Sequence, residues 1–162
     1  IFLKKNKALT YAIKKSCEIK IYFVSRDVNE KGLRMILNFG HTFAHAIEAK
    51  NKYSKNTTHG EAVLTGMILA IKLSILKKNC NYKILNQVQN LYKKNNLIYS
   101  LKNISNAKWI QSLIPFLKQD KKNDDDKINF LLLKNIGKTD LPNKFKISTT
   151  DLRKYCKIIS EY

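Results

Sequence analysis

Arg34-Met-Ile-Leu-Asn38-Phe-Gly40-His41-Thr-Phe-Ala-His45-Ala-Ile-Glu48, with the Thr58-His59-Gly60-Glu61 that follows it, is the stretch on which the reading of this chain turns. All three histidines and four of the five glycines fall between Gly32 and Gly66. Read as one helix over Leu33 to Ala49, the spacing puts Arg34, Asn38, His41, His45 and Glu48 at i, i+4, i+7, i+11 and i+14, on a single face. The remaining faces are apolar or small, the reverse of an ordinary surface helix. The helix is therefore expected to be buried on most sides, with its polar row facing an interior, wet cavity. A satisfied core network or a solvated face would also collect polar groups. The row, however, holds a cation, an amide, two imidazoles and a carboxylate but no lysine, in a chain with 31 Lys and Arg, which favours a functional reading.

Thr58-His59-Gly60-Glu61 fits a capping box, with Thr58 as N-cap and Glu61 at N3, ahead of the apolar run Ala62 to Leu76. His59 then sits in the first turn of a new helix, where the positive end of the helix dipole disfavours imidazolium and leaves a lone pair for a metal. Two antiparallel helices joined by the Lys50 to Thr57 loop would carry His59 back towards the polar row. A metal shared by His41 and His59 becomes plausible, although catalytic zinc usually takes three protein ligands.

These residues carry a resemblance. Gly32-Leu-Arg34 through Glu48-Ala49, followed by His59-Gly60-Glu61-Ala-Val63 and Gly66-Met67, closely resembles 3-dehydroquinate synthase. The similarity runs upstream through Glu18-Ile-Lys20 and Asp27-Val-Asn-Glu30-Lys-Gly32, and downstream to Asp120-Lys121-Lys122 and the segment from Ile128 to Gly137. The departures are Ala44, where the family usually has glycine, and a slightly longer loop between Glu48 and His59. The resemblance implies the mainly α, helical C-terminal domain of the dehydroquinate synthase-like fold, with a short β-hairpin near residues 128–141. It implies an NAD- and metal-dependent, phosphate-eliminating cyclase of the shikimate pathway, and hence of aromatic amino acid biosynthesis. That reaction converts 3-deoxy-D-arabino-heptulosonate 7-phosphate to 3-dehydroquinate and phosphate.

Carried over residue by residue, the resemblance implies that His41 and His59 are ligands of Zn2+, or of Co2+ in its place, and that His45 contacts substrate beside them. Lys20, Glu30, Arg34 and Asn38 match positions around the substrate's hydroxyls, carboxylate and phosphate. One of Lys121 and Lys122 matches a further anion contact. The family's third ligand, a glutamate, and its nucleotide-binding domain lie upstream of the matched part, so NAD is expected to be held mainly there and the fragment alone to be inactive. The resemblance also implies a homodimer of the full-length enzyme. Another sugar-phosphate cyclase would share the zinc motif, and a metal-dependent alcohol or glycerol dehydrogenase the general architecture.

Composition bounds the rest. With 44% apolar residues over 162 positions the chain can bury a core, and it shows no repeat or linker, so one domain over 1–162 is expected. It opens at Ile1 with no initiator methionine and no signal pattern, so it reads as a piece of something longer; no apolar run is long enough to span a membrane, so no membrane partner is expected, and the cysteine usage is of a cytoplasmic type. A net charge of +19 and a pI near 9.9 would suit a basic helical nucleic-acid-binding module. The lysines are instead spread along the chain with no arginine cluster or aromatic-interleaved run, so a solvated lysine-rich surface and no specific nucleic acid are expected. Arg26, Arg34 and Arg153 are the only arginines, so Arg34 on the polar row hints at planar, bidentate recognition of a carboxylate or phosphate. Cys17, Cys80 and Cys156, widely spaced and without a CxxC, read as reduced, half-buried thiols.

Further helices are expected over Asn6 to about Val24, His59 to about Lys77, Tyr82 to about Asn95, Ala107 to about Lys118 with Trp109 in the core, and Thr150-Asp151 to about Ser160. Asp124-Asp125-Asp126 lacks the spacing of a calcium loop and reads as solvated. Ile128 to Leu133 and Gly137 to Leu141 are read as the two arms of a hairpin.

Overall fold

A computed structural model describes residues 6–54, 57–97, 101–118 and 126–162, and these divide between two compact units, Ile1–Leu37 and Asn38–Tyr162. Lys121 and Lys122 lie outside the described residues.

The first unit holds α1 (Asn6–Arg26), which carries Lys20 in its last turns, and a loop that leads into a 3-10 turn at Leu33–Asn38. The loop is built on one carboxylate. Asp27 accepts from the backbone N–H of Lys31 (3.0 Å), Gly32 (2.8 Å) and Arg34 (3.0 Å), closing residues 27–34 around it. Glu30 stands at φ 52 within that loop, a left-handed conformation that an L-residue adopts only when its neighbours impose it. Three amide donors favour the charged carboxylate and hold Asp27 below its ordinary value.

The second unit is a helical assembly around α3 (His59–Leu76). Nine residues of α3 are buried, from Ala62 to Ser74, and α2 (His41–Lys50), α4 (Tyr82–Lys94) and α7 (Thr149–Glu161) pack against it. By length and composition α3 could cross a membrane, contrary to the expectation that no run would. Its apolar character on all sides is that of a central helix covered by neighbours. The helix starts as its sequence requires. Thr58 accepts from the Glu61 amide, and the Glu61 carboxylate accepts from the Thr58 amide at 2.7 Å, so both halves of the capping box are present.

Three expectations are corrected. The helix read over Leu33 to Ala49 is broken at Phe39 and Gly40: Gly40 takes φ +84 and becomes the N-cap of α2, so the helical period does not run from Asn38 to His41. The helix read over Ala107 to Lys118 is two short ones, α5 (Ala107–Gln111) and α6 (Ile114–Lys118). Pro115 has no N–H to give the Gln111 carbonyl and its ring would clash there, so the chain turns at Ser112 and Leu113. The hairpin arms are also rearranged. β1 (Lys127–Phe130) alternates in burial, but Leu132 and Leu133 are both buried, which a strand buried on one face only cannot achieve. The chain leaves β1 after Phe130. β1 pairs antiparallel with β4 (Phe145–Ser148), while β2 (Leu133–Asn135) turns through Gly137 at φ +75 to pair with β3 (Lys138–Thr139).

Polar groups tie these layers together. Ser74, buried on α3, accepts from the Leu133 amide (2.9 Å), and Lys72, also fully buried on α3, donates to the Ile104 carbonyl (2.6 Å). Asp140 is buried beyond β3. Burial alone would raise its pKa, but the Leu141 amide and the ammonium groups of Lys144 and Lys134 outweigh burial and hold it low. The cysteines are free, as expected, but not uniformly half-buried: Cys17 is exposed, Cys80 half-buried and Cys156 buried.

Candidate functional site

His41 is the first residue of α2 and His59 the first of α3, so two helix N-termini place the two imidazoles together. Their ring centroids are 5.5 Å apart, and His45, one turn beyond His41, lies 5.8 Å from His41. Glycine makes the approach of the two helices possible. A Cβ on Gly40 would stand 2.7 Å from the Met67 nitrogen and 3.0 Å from its Cα, and a Cβ on Gly66 would overlap the Gly40 carbonyl and come within 3.0 Å of the Ala44 nitrogen. Backbone therefore meets backbone where α2 begins. Phe43, Ala44, Ala46 and Ile47 bury the rest of that face.

The ring environments differ. The Nδ1 atom of His41 is buried, and among the described residues only the Phe39 backbone acts on the ring as a hydrogen-bonding group, without a hydrogen bond of ordinary geometry to that atom. Burial pushes the His41 pKa below the ordinary histidine value, the neighbouring His45 and His59 rings push the same way, and the Phe39 backbone and Glu48 carboxylate pull against them. At neutral pH His41 is a neutral imidazole with a lone pair. His59 is anchored differently: its Nδ1 lies 2.9 Å from Oε1 of Glu48 on α2. A carboxylate only accepts, so Nδ1 carries the proton, and in the neutral ring Nε2 carries the lone pair. The two rings thus lie side by side, each with a nitrogen able to donate a lone pair when the ring is neutral.

That donor chemistry suits zinc or cobalt. It also falls one ligand short of a catalytic zinc site, and among the described residues no three His, Cys, Asp or Glu side chains gather as a metal-holding group. The residues fit part of a metal site and no more.

Other residues singled out in the sequence take separate places. Asn38 ends the 3-10 turn, two residues before the Gly40 cap. Lys20, Glu30 and Arg34 belong to the first unit. There the Arg34 guanidinium donates to the Val28 carbonyl at 2.8 Å, and its Nε lies 3.7 Å from the Glu30 carboxylate. Trp109 packs on the edge of the core. Two residues had no role assigned from sequence. Asp27 organises the loop that carries Glu30 and Arg34, and its signal was an acidic residue at a helix end just before Gly32. Glu48 holds His59, and its presence on the polar row was the available clue.

Residues 1–123 match the family model of the 3-dehydroquinate synthase C-terminal domain. Among curated relatives, the 3-dehydroquinate synthase of Endomicrobium trichonymphae is 46% identical over 133 residues, covering 82% of this chain and 35% of the relative. That of Pelagibacter ubique is 39% identical over 148 residues, covering 91% and 40%. This chain thus spans well under half the length of these relatives. Among solved structures, a 2-deoxy-scyllo-inosose synthase complexed with carbaglucose-6-phosphate, NAD+ and Co2+ superposes with a TM-score of 0.68 at 26% identity, covering 86% of this chain and 39% of that one. The 2-epi-5-epi-valiolone synthase ValA of Streptomyces hygroscopicus, with NAD+ and Zn2+ bound, has a TM-score of 0.70 at 19% identity, covering 98% and 41%, and shares the fold.

Proposed function

The chain belongs to the 3-dehydroquinate synthase family, and from that premise we propose that it supplies the metal- and substrate-binding part of an enzyme that makes 3-dehydroquinate from a phosphorylated seven-carbon sugar acid. The observation that carries the reading is the pair His41 and His59, two imidazoles brought to 5.5 Å by the docking of α2 on α3.

In this proposal His41 and His59 hold Zn2+ or Co2+, with a third ligand from outside these residues. The bound metal supplies Lewis acidity, easing loss of a hydroxyl proton and polarising a carbonyl. Every other role belongs to side chains. Arg34 offers a planar fork for a carboxylate or phosphate, with Lys20 and one of Lys121 and Lys122 as further cations. Asn38 and Glu30 orient hydroxyls, and the exposed ring of His45 contacts the phosphate, holding the leaving group in place. NAD is bound mainly by other parts of the protein, since the chain has no Gly-rich dinucleotide fingerprint. The whole protein would then act in the cytoplasm as a homodimeric, phosphate-eliminating lyase, and this part alone would be inactive.

In the full-length protein containing this chain, His41→Ala and His59→Ala should each abolish stoichiometric zinc and activity. Full zinc retention in both variants would overturn the ligand assignment. The structural likeness to an inosose synthase at 26% identity favours, as the second reading, a sister sugar-phosphate cyclase. Identification of the carbocyclic product by mass spectrometry and NMR separates the two.

A further inference from the structure

The side chain of Glu48 reaches across from α2 to the first residue of α3 and meets His59 there, with Oε1 2.9 Å from Nδ1. The two ends of this contact are unequally exposed: the His59 side chain is 59% accessible, the Glu48 side chain 16%. An exposed imidazole at a helix N-terminus would, left to itself, turn about its side-chain bonds and exchange its two tautomers. The Glu48 carboxylate is the more confined of the two, since its side chain is largely buried on a helix packed against α3. The bond therefore fixes the ring more than the ring fixes the carboxylate. It also has a defined polarity, since an ionised carboxylate must receive the proton.

We propose that Glu48 is a positioning residue that holds His59 in its Nδ1–H tautomer, leaving Nε2 as the metal-donating nitrogen and placing a negative charge behind the ring. The inference rests on the reading of His59 as a metal ligand and extends it to a residue that the sequence placed on the polar row without a role. Two physical effects combine. The tautomer is selected before any metal arrives, so no rearrangement opposes binding. The negative charge behind the ring also favours a cation in front of it. Glu48 is two helical turns from His41 on the same element, about 10 Å along the axis. The same helix thus presents one imidazole from its first turn and orients the other from its last, coupling the metal site to the seating of α2 on α3.

The test uses the full-length protein with its histidines labelled with 15N. In the metal-free parent, the imidazole nitrogen shifts of His59 should report the Nδ1–H form. In Glu48→Ala they should move towards the Nε2–H form that free imidazole side chains prefer. Zinc affinity, measured by competition with a chromophoric chelator, should fall about 10–100-fold in Glu48→Ala. Glu48→Gln, whose amide oxygen still accepts from Nδ1–H, should keep the tautomer and lose less affinity. Circular dichroism and thermal melts confirm that each variant is folded, and Glu48→Gln serves if Glu48→Ala is not. An unchanged His59 tautomer in Glu48→Ala, or no affinity difference among parent, Gln and Ala forms, would overturn the proposal. If instead His59→Ala retains zinc while the tautomer still responds to Glu48, the ligand reading of His59 fails and the positioning bond stands alone.

Discussion

Gly40→Ala should loosen the junction on which the candidate site is built. Two terms add. The residue stands at φ +84, and placing an L side chain in the left-handed region costs roughly 1–2 kcal/mol. The new Cβ would then stand 2.7 Å from the Met67 nitrogen, 2.9 Å from its Cγ and 3.0 Å from its Cα. Non-bonded carbon atoms rest at about 3.5–4.0 Å, so α2 must lift from α3 by roughly 0.5–1 Å. The Met67 side chain can rotate away, but the backbone atoms cannot. Overpacking of this kind costs about 1–3 kcal/mol, giving a combined loss of about 2–5 kcal/mol. At 3 kcal/mol, the melting temperature of a domain of this size should fall by roughly 6–12 °C. His41, the next residue, moves with the N-terminus of α2, so zinc affinity should fall as well. The assay is a calorimetric melt of the full-length protein, paired with zinc titration of parent and variant. Gly60→Ala is the control: among the described residues a Cβ there meets nothing within 4 Å in the first turn of α3, so it should be neutral or stabilise by about 0.4–1 kcal/mol. If Gly40→Ala melts within about 1 °C of the parent, the argument that backbone contact sets the helix approach is wrong.

Lys72 offers a test with a defined pH signature. Its burial pushes its pKa down from 10.5 to about 8, so between those values the unfolded chain binds more protons and stability rises with pH. At pH 7 the buried ammonium opposes folding by about 3 kcal/mol, offset by about 1 kcal/mol for its bond to the Ile104 carbonyl, so Lys72→Met should raise the melting temperature at pH 7. The gain should shrink by pH 10, and a pH-independent difference would contradict this account. Asp27→Ala should leave the Lys31, Gly32 and Arg34 amides without their acceptor, and hydrogen exchange at those amides should accelerate. Because the folded pKa of Asp27 is lowered, protection by the parent carboxylate should persist above the unfolded value of about 3.9 and fade as pH drops through the lower folded one. His45→Ala should retain most zinc and slow phosphate elimination in the full-length enzyme, seen by stopped flow as accumulation of reduced nicotinamide. Zinc loss as complete as in His41→Ala would instead make His45 a ligand.

The sequence alone determined those features that depend on neighbours along the chain. Thr58 and Glu61 specify the start of α3 because a capping box is closed within one helical turn, and the apolar run after it specifies a buried helix. The concentration of histidine around Gly40 and Gly60 marked the candidate site, and the capping box placed His59 in the first turn of a helix, whereas spacing alone put His41 in the middle of a longer one. Periodicity failed where a distant contact overrode it. Nothing local to Gly40 says that the Met67 backbone lies against it, so the break between the 3-10 turn and α2 was invisible, and with it the loss of a continuous polar face. The strand pairing was hidden likewise, because β1 finds β4 across the whole β2–β3 hairpin. The bond from Glu48 to His59 spans eleven residues and a loop, and it exists only because two glycines let α2 and α3 touch. Local hydrogen bonding is written in adjacent residues, whereas the approach of two backbones is fixed by the packing of everything around them.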